Sequence, residues 1–219
     1  TVINEGGIVY KTLYNTLRNN NIPVTDICIQ HCYGLQKNEA IDKMVNKYVL
    51  QDSQYKESMK KKCYTEFEEN LSDSYFGGES DIKLIDERIP IFFNSLRSKG
   101  IKIALNTGYN KSIQNKIIQK LQMNEFIDDY ISSEEVIFGR PYPYMIHQLM
   151  QRNNILNVEE VVKVGDTAND IMEGINAGCV FNIGVLSGAG TANDFKSATH
   201  IIENVTNLDI DFLQEDPFL

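Results

Sequence analysis

The chain has 219 residues, 42% of them hydrophobic and 23% charged, with four cysteines and a formal net charge of −9. This length allows one domain with a subdomain, or two small domains, around a sizeable core. The acidic balance argues against non-specific nucleic-acid binding, and with no run of ~18 apolar residues no transmembrane helix is expected.

An anionic small substrate stays compatible with the charge, because a divalent ion with one Arg and one Lys makes a local positive pocket. No signal peptide is visible at the N-terminus, and Cys28, Cys32, Cys63 and Cys179 lack CxxC spacing. The expectation is a cytoplasmic protein with reduced thiols. Cys28 and Cys32 lie one helical turn apart and read as helix packing rather than a metal pair.

Along the chain, Val9, Leu13 and Leu17 predict a helix over Ile8 to Arg18, punctuated by Pro23. Thr25 can cap a short second helix that Gly34 ends. Ala40, Ile41, Met44, Val45 and Tyr48 mark a third. Tyr55, Met59, Cys63, Phe67 and Leu71, every four residues, mark a fourth. Up to Gly77-Gly78 the pattern is helix after helix.

Beyond Gly78 the pattern alternates. A helix bearing Ile85, Ile89, Phe92, Phe93 and Leu96 ends at Gly100, and Ile101 to Leu105 form a buried strand closed by Asn106-Thr107-Gly108. Ile113, Ile117 and Leu121 give a helix, then a strand runs near Tyr130–Ile131 into Ser132-Ser133-Glu134-Glu135. Next come Gly139-Arg140-Pro141-Tyr142-Pro143, a helix, the strand Val161–Val164, a helix to Gly178, the strand Val180–Val185, and a last strand at His200–Ile202 before an acidic tail. Strands alternating with helices imply an α/β fold, a parallel sheet covered on both faces.

Ligands in such sheets bind beyond the carboxyl ends of the strands. Thr107, Arg140 and Asp166 each lie just past a strand. Asp166 and Asp170 sit four apart across a helix start, offering hard oxygens that suit Mg²⁺ beside unpaired backbone N–H groups. The competing reading is that Asp166 only caps the helix. The Thr107 hydroxyl and nearby backbone N–H groups can hold a phosphoryl oxygen; alternatively Thr107 is a turn residue. Arg140, fixed between Gly139 and Pro141, can pair two phosphoryl oxygens, or it is a surface arginine. Gly108 and Tyr109 are expected on the substrate side, where Tyr109 shapes the pocket or simply covers the sheet rim. His147 reads as packing or surface. Ser187 reads as a loop residue, since it lacks a G-x-S-x-G frame and a paired His.

The order Thr107, Arg140, Asp166, Asp170 resembles motifs two to four of the haloacid dehalogenase superfamily. TGYN at 107–110, GRPYPYM at 139–145, VGDTANDIMEGINAG at 164–178 and GVLSGAG at 184–190 resemble its phosphonatase-like branch. The opening TVINEGGIVYKTL resembles the stretch after that branch's nucleophile motif. The resemblance implies a Rossmann-like, doubly wound core (1–7 and 79–219) with an inserted helical cap (8–78). It also implies Mg²⁺ held by Asp166 and Asp170, and an aspartate nucleophile on a strand upstream of Thr1. Most members of the superfamily carry Lys where this chain has Arg140.

In phosphonoacetaldehyde hydrolases a cap lysine in a Gly-Leu-x-Lys setting forms a Schiff base with the substrate aldehyde. Gly34-Leu35-Gln36-Lys37 matches, which makes Lys37 the corresponding residue. The family's methionine before that glycine is Tyr33 here, and its histidine after the lysine is Ala40. His31 lies on the other side of the loop. The alternative is that Lys37 merely starts a solvated helix.

The sequence therefore points to a Mg²⁺-dependent hydrolase of a small phosphonate or phosphate ester, working through an aspartyl-phosphate as a monomer or homodimer. The alternatives are a phosphate monoester phosphatase on the same scaffold, and a non-catalytic module that binds a phosphorylated metabolite or a protein.

Overall fold

The computed structural model describes residues 1–78 and 82–209. The expected acidic tail lies largely outside them. By its contacts the chain divides into two units. One is Asn4–Lys83; the other joins Thr1–Ile3 to the residues from Leu84 onward.

Among the described residues the first unit holds four helices: α1 (Ile8–Asn19), α2 (Asp26–Gln30), α3 (Lys37–Tyr48) and α4 (Ser53–Phe76). Thr25 caps α2 as its position suggests, its side chain accepting from the Cys28 N–H. Gly34 has φ +79, a left-handed turn that glycine adopts without steric cost. Leu13, Leu17, Ile41, Val45, Cys63, Phe67, Leu71 and Tyr75 are buried between the helices. Tyr55 is exposed although it begins the four-residue repeat of α4. A spacing of four drifts about 40° per step against 3.6 residues per turn, so a long repeat rotates off the buried face.

The chain crosses between the units at two short strands, β1 (Ile3–Asn4) and β2 (Lys83–Leu84), which pair with each other. Neither was expected from the sequence, because two residues are too few to show an alternating pattern. The next helix, α5 (Ile89–Ser98), starts one turn later than Ile85 suggested. The Asp86 carboxylate accepts from the Arg88 N–H at 2.8 Å, and Pro90 stands in the first turn, where its missing N–H costs nothing.

In the second unit β3 (Ala104–Thr107) pairs in parallel with β4 (Asp129–Ser132), and β5 (Val162–Gly165), β6 (Phe181–Val185) and β7 (His200–Ile202) form a parallel three-stranded sheet. Asn106 and Thr107, read as closing the strand, instead belong to it, opposite Ile131 and Ser132. Helices α6 (Lys111–Lys120), α7 (Tyr144–Asn153) and α8 (Ala168–Ala177) separate the strands.

Successive strand residues point to opposite faces. Leu105 and Tyr130 pack with Phe93 and Leu96 of α5, whereas Ile131 packs with Met145 and Leu149 of α7. Helices thus cover both faces, as in a doubly wound α/β fold. Among the described residues no helix is long and apolar enough to cross a membrane.

Candidate active site

Parallel pairing sets the carboxyl ends of β3 and β4 side by side, Thr107 opposite Ser132, and those of β5 and β6 likewise, Gly165 opposite Gly184. Asp166 follows Gly165 directly, and the loop 186–190 follows β6. That loop closes on Asp166 from three points. The Gly190 N–H donates to the Asp166 carbonyl at 2.8 Å, and the Ala189 N–H donates to Oδ2 at 3.0 Å. Any Cβ at Gly188 would collide with the Asp166 side chain. Only glycine lets the loop approach so closely.

On the other side, the Thr1 backbone nitrogen lies 2.8 Å from Asp166 Oδ1, and the Thr1 hydroxyl donates to the same oxygen.

Asp170 occupies the third position of α8. It completes a capping box with Thr167, whose hydroxyl donates to Oδ2 at 2.6 Å and whose N–H donates to the same atom at 3.2 Å. Its other oxygen, Oδ1, pairs with the Arg140 guanidinium and with Lys163 Nζ at 3.1 Å. Burial opposes ionisation here, but Arg140 and Lys163 hold the Asp170 carboxyl well below the usual range. Arg140, which follows Gly139 and enters a cis peptide with Pro141, is 9% exposed. It is a buried ion-pair member, and the surface-arginine alternative is set aside.

Three residues of this constellation went unread in the sequence. Lys163 Nζ also lies 2.7 Å from Glu173 Oε2 and donates to Asn106 Oδ1 at 2.8 Å. The Asn106 amide in turn donates to both Glu173 oxygens, at 2.9 and 2.8 Å. These side chains bridge β3 to β5 and α8, whose two sheets share no backbone ladder among the described residues. Two signals were available. Lys163 is a lone charge in the run Val161–Val164, and a charge in a buried strand must be paired. Glu173 stands three residues after Asp170, on the same helical face.

Thr107 is half-buried. Its hydroxyl accepts from the Tyr109 N–H at 3.2 Å, and the Tyr109 carbonyl accepts from the Ser132 hydroxyl at 2.8 Å. Gly108 is buried between them. Thr107 therefore joins the acids indirectly, as the chain neighbour of Asn106. His147 is exposed, with its ring 3.1 Å from the Ala177 carbonyl, and Ser187 lies in the loop over Asp166. Both match their bland readings.

A Mg²⁺ ion takes one or two protein carboxylates and completes its shell with water and phosphate oxygens. The donors present fit that habit at Asp166, a carboxylate directly after β5 with a second acid, Asp170, in the first turn of α8. Among the described residues no cluster of three or more His, Cys, Asp or Glu could hold a metal, so a cation here would keep water or substrate oxygens. Asp170, expected as a second ligand, has both oxygens committed to Arg140, Lys163 and Thr167. In this arrangement it holds its neighbours rather than an open coordination position.

In the helical unit, Lys37 opens α3 but is only 7% exposed, so it does not begin a solvated helix. Its Nζ donates to the Leu35 carbonyl at 2.9 Å and lies 5.0 Å from the centre of the Tyr10 ring. Tyr33 packs on the same ring, with centroids 4.1 Å apart, and the Gly34 N–H donates to the Tyr10 hydroxyl at 3.1 Å.

The family profile described as haloacid dehalogenase-like hydrolase matches residues 1–183, and the chain belongs to that family. Its curated relatives include phosphonoacetaldehyde hydrolases. That of Bacillus cytotoxicus is 35% identical over 127 residues, 58% of this chain and 46% of the relative. That of Parabacteroides distasonis is 36% identical over the same shares. The chain spans about half the length of these relatives. The fold is similar to that of a phosphonoacetaldehyde hydrolase-like protein from Oleispira antarctica, with TM-score 0.77, 18% identity, and 98% of this chain and 88% of that one covered. It is also similar to that of a hydrolase from Pseudomonas syringae, with TM-score 0.76, 15% identity, and 99% and 94% covered.

Proposed function

We propose that the protein is a Mg²⁺-dependent hydrolase of a small phosphonate or phosphate ester, of the phosphonatase-like kind. The observation that carries this reading is the buried Arg140–Asp170 pair beside Asp166, at the carboxyl ends of parallel strands. When bound, Mg²⁺ neutralises phosphoryl charge and orients the transferring group. Asp166 is the ligand best placed to hold it, with Asp170 beside it. Arg140 and Thr107 bind the phosphoryl oxygens, with the backbone at Gly108 and Tyr109 lining the substrate side. The attacking carboxylate, placed ahead of Thr1 by the resemblance, forms and then loses an aspartyl-phosphate.

Lys37 supplies the amine. Condensed with an aldehyde it loses water and gives an iminium, which accepts the electron pair of the breaking C–P bond and becomes an enamine. A buried amine such as Lys37 suits this step better than a solvated one. Replacement of the family's methionine by Tyr33 and of its histidine by Ala40 favours a substrate other than phosphonoacetaldehyde itself, and keeps phosphate monoesters as the second reading. The test is phosphate release from a panel of phosphonates and phosphate monoesters, with and without Mg²⁺. Release from at least one compound only with Mg²⁺ is expected. Release from none with Mg²⁺ present leaves the binding-module reading.

A further inference from the structure

Arg140, Asp170, Lys163 and Glu173 form a buried set of two cations and two anions, with Asp170 at 3%, Lys163 at 6% and Glu173 at 0% exposure. The order of contacts matters. Arg140 touches only Asp170 of the two acids, whereas Lys163 stands between both and is held to Glu173 at 2.7 Å and to Asp170 at 3.1 Å. Asn106, on the strand that carries Thr107, clasps Glu173 with one end of its amide and Lys163 with the other. Gly174 makes room for this set. A Cβ there would lie 2.7 Å from Lys163 Cβ and would strike the Asn182 side chain.

Burying four charges is costly, and apolar residues of similar volume would often stabilise the fold as well or better. The arrangement is therefore more economically explained by what it does to Arg140. A carboxylate shared with Lys163 neutralises less of the Arg140 charge than one that Arg140 held alone. We propose that Lys163 is a positioning residue, which takes up part of the Asp170 charge so that Arg140 keeps net positive charge and a fixed aim for the phosphoryl group. Glu173 and Asn106 set how far Lys163 leans toward Asp170. The inference rests on the phosphoryl-site reading above and adds a residue on β5 that no motif resemblance assigned.

The test is inorganic phosphate binding in the presence of Mg²⁺, measured by calorimetry beside thermal unfolding. The Lys163→Met/Glu173→Gln double variant conserves net charge and leaves neither buried partner uncompensated. It should unfold near the wild-type temperature and bind phosphate about tenfold more weakly, because Asp170 then falls to Arg140 alone. Wild-type affinity in the folded double variant overturns the proposal, since a purely structural clamp would behave so. If the double variant does not fold, Glu173→Gln decides. It lets Lys163 lean wholly on Asp170 and should bind phosphate about threefold more tightly; unchanged or weaker binding overturns the proposal. No phosphate binding by the wild-type protein would instead defeat the phosphoryl-site reading, and this inference with it.

Discussion

Arg140 and Asp170, thirty residues apart, form a buried ion pair that joins the Gly-Arg-Pro loop to the first turn of α8. Through it a side chain from one connection is aimed by a helix that belongs to another, and the pair lies next to Asp166. The geometry of the pair is fixed because Asp170 is also bonded by Thr167 and shared with Lys163, which leaves little freedom to any of the four.

Asp170→Asn is expected to destabilise the protein by about 3–5 kcal/mol near pH 7, because Arg140 and Lys163 lose their shared counter-charge in the interior. The Asp170 carboxyl titrates lower in the folded state than its unfolded value of ~3.9. Its stabilising contribution is thus complete above ~3.9 and fades as pH falls through the lower folded value. Urea unfolding of both proteins at pH 7 and pH 3 checks this: the gap between them should narrow in acid. A gap that widens in acid contradicts it.

Gly174→Ala should cost about 1–3 kcal/mol or more, since the added methyl is forced against Lys163 and Asn182. Alanine is otherwise the better helix former, so a gain in stability would show that this crowding is absent. Chemical denaturation measures it.

If Lys37 forms an imine, borohydride in the presence of a phosphonoaldehyde should leave a reduced adduct on Lys37, located by peptide mass spectrometry. Lys37→Ala should abolish trapping and C–P cleavage together. Full activity of Lys37→Ala, with no adduct on the wild type, removes the imine and leaves the monoester phosphatase.

Cys28 should be the first thiol alkylated by iodoacetamide. The Thr25 side chain, then the Tyr48 hydroxyl at 3.1 Å, lower its thiol to about 7. Burial raises Cys63 and Cys179 to about 11 and also raises Cys32. The labelling rate should rise with pH to a midpoint near 7 and level off above it. Tyr48→Phe should move that midpoint upward; an unmoved midpoint would deny the hydrogen bond its role.

Much of this was legible in the sequence, for identifiable reasons. Apolar spacing located α1, α6 and the strand at His200–Ile202, because burial on one face is a periodic signal. Gly178 marked the end of α8 through cap chemistry, but at its start the cap is Thr167 with Asp170, not Asp166 as the capping alternative had it. The start of α5 was misplaced because Ile85 fits the helical spacing although its N–H bonds to Val2. Asp170 was visible as an acid, but its commitment to Arg140, Lys163 and Thr167 was not, since pairing across thirty residues leaves no local trace. Lys163 and Glu173 were hidden differently. Each carries a local signal, a lone charge in an apolar strand and an acid on the Asp170 face, but neither signal names its partner before strand and helix are packed together.

The most direct measurement is phosphate release by wild type and Asp166→Asn as Mg²⁺ is titrated, on whichever substrate the panel identifies. The expected result is a saturable Mg²⁺ requirement in the wild type, and a rate at least about 100-fold lower in the variant at any Mg²⁺ concentration. Wild-type rates from Asp166→Asn would contradict the account, because the acid following β5 would then hold neither metal nor phosphoryl group.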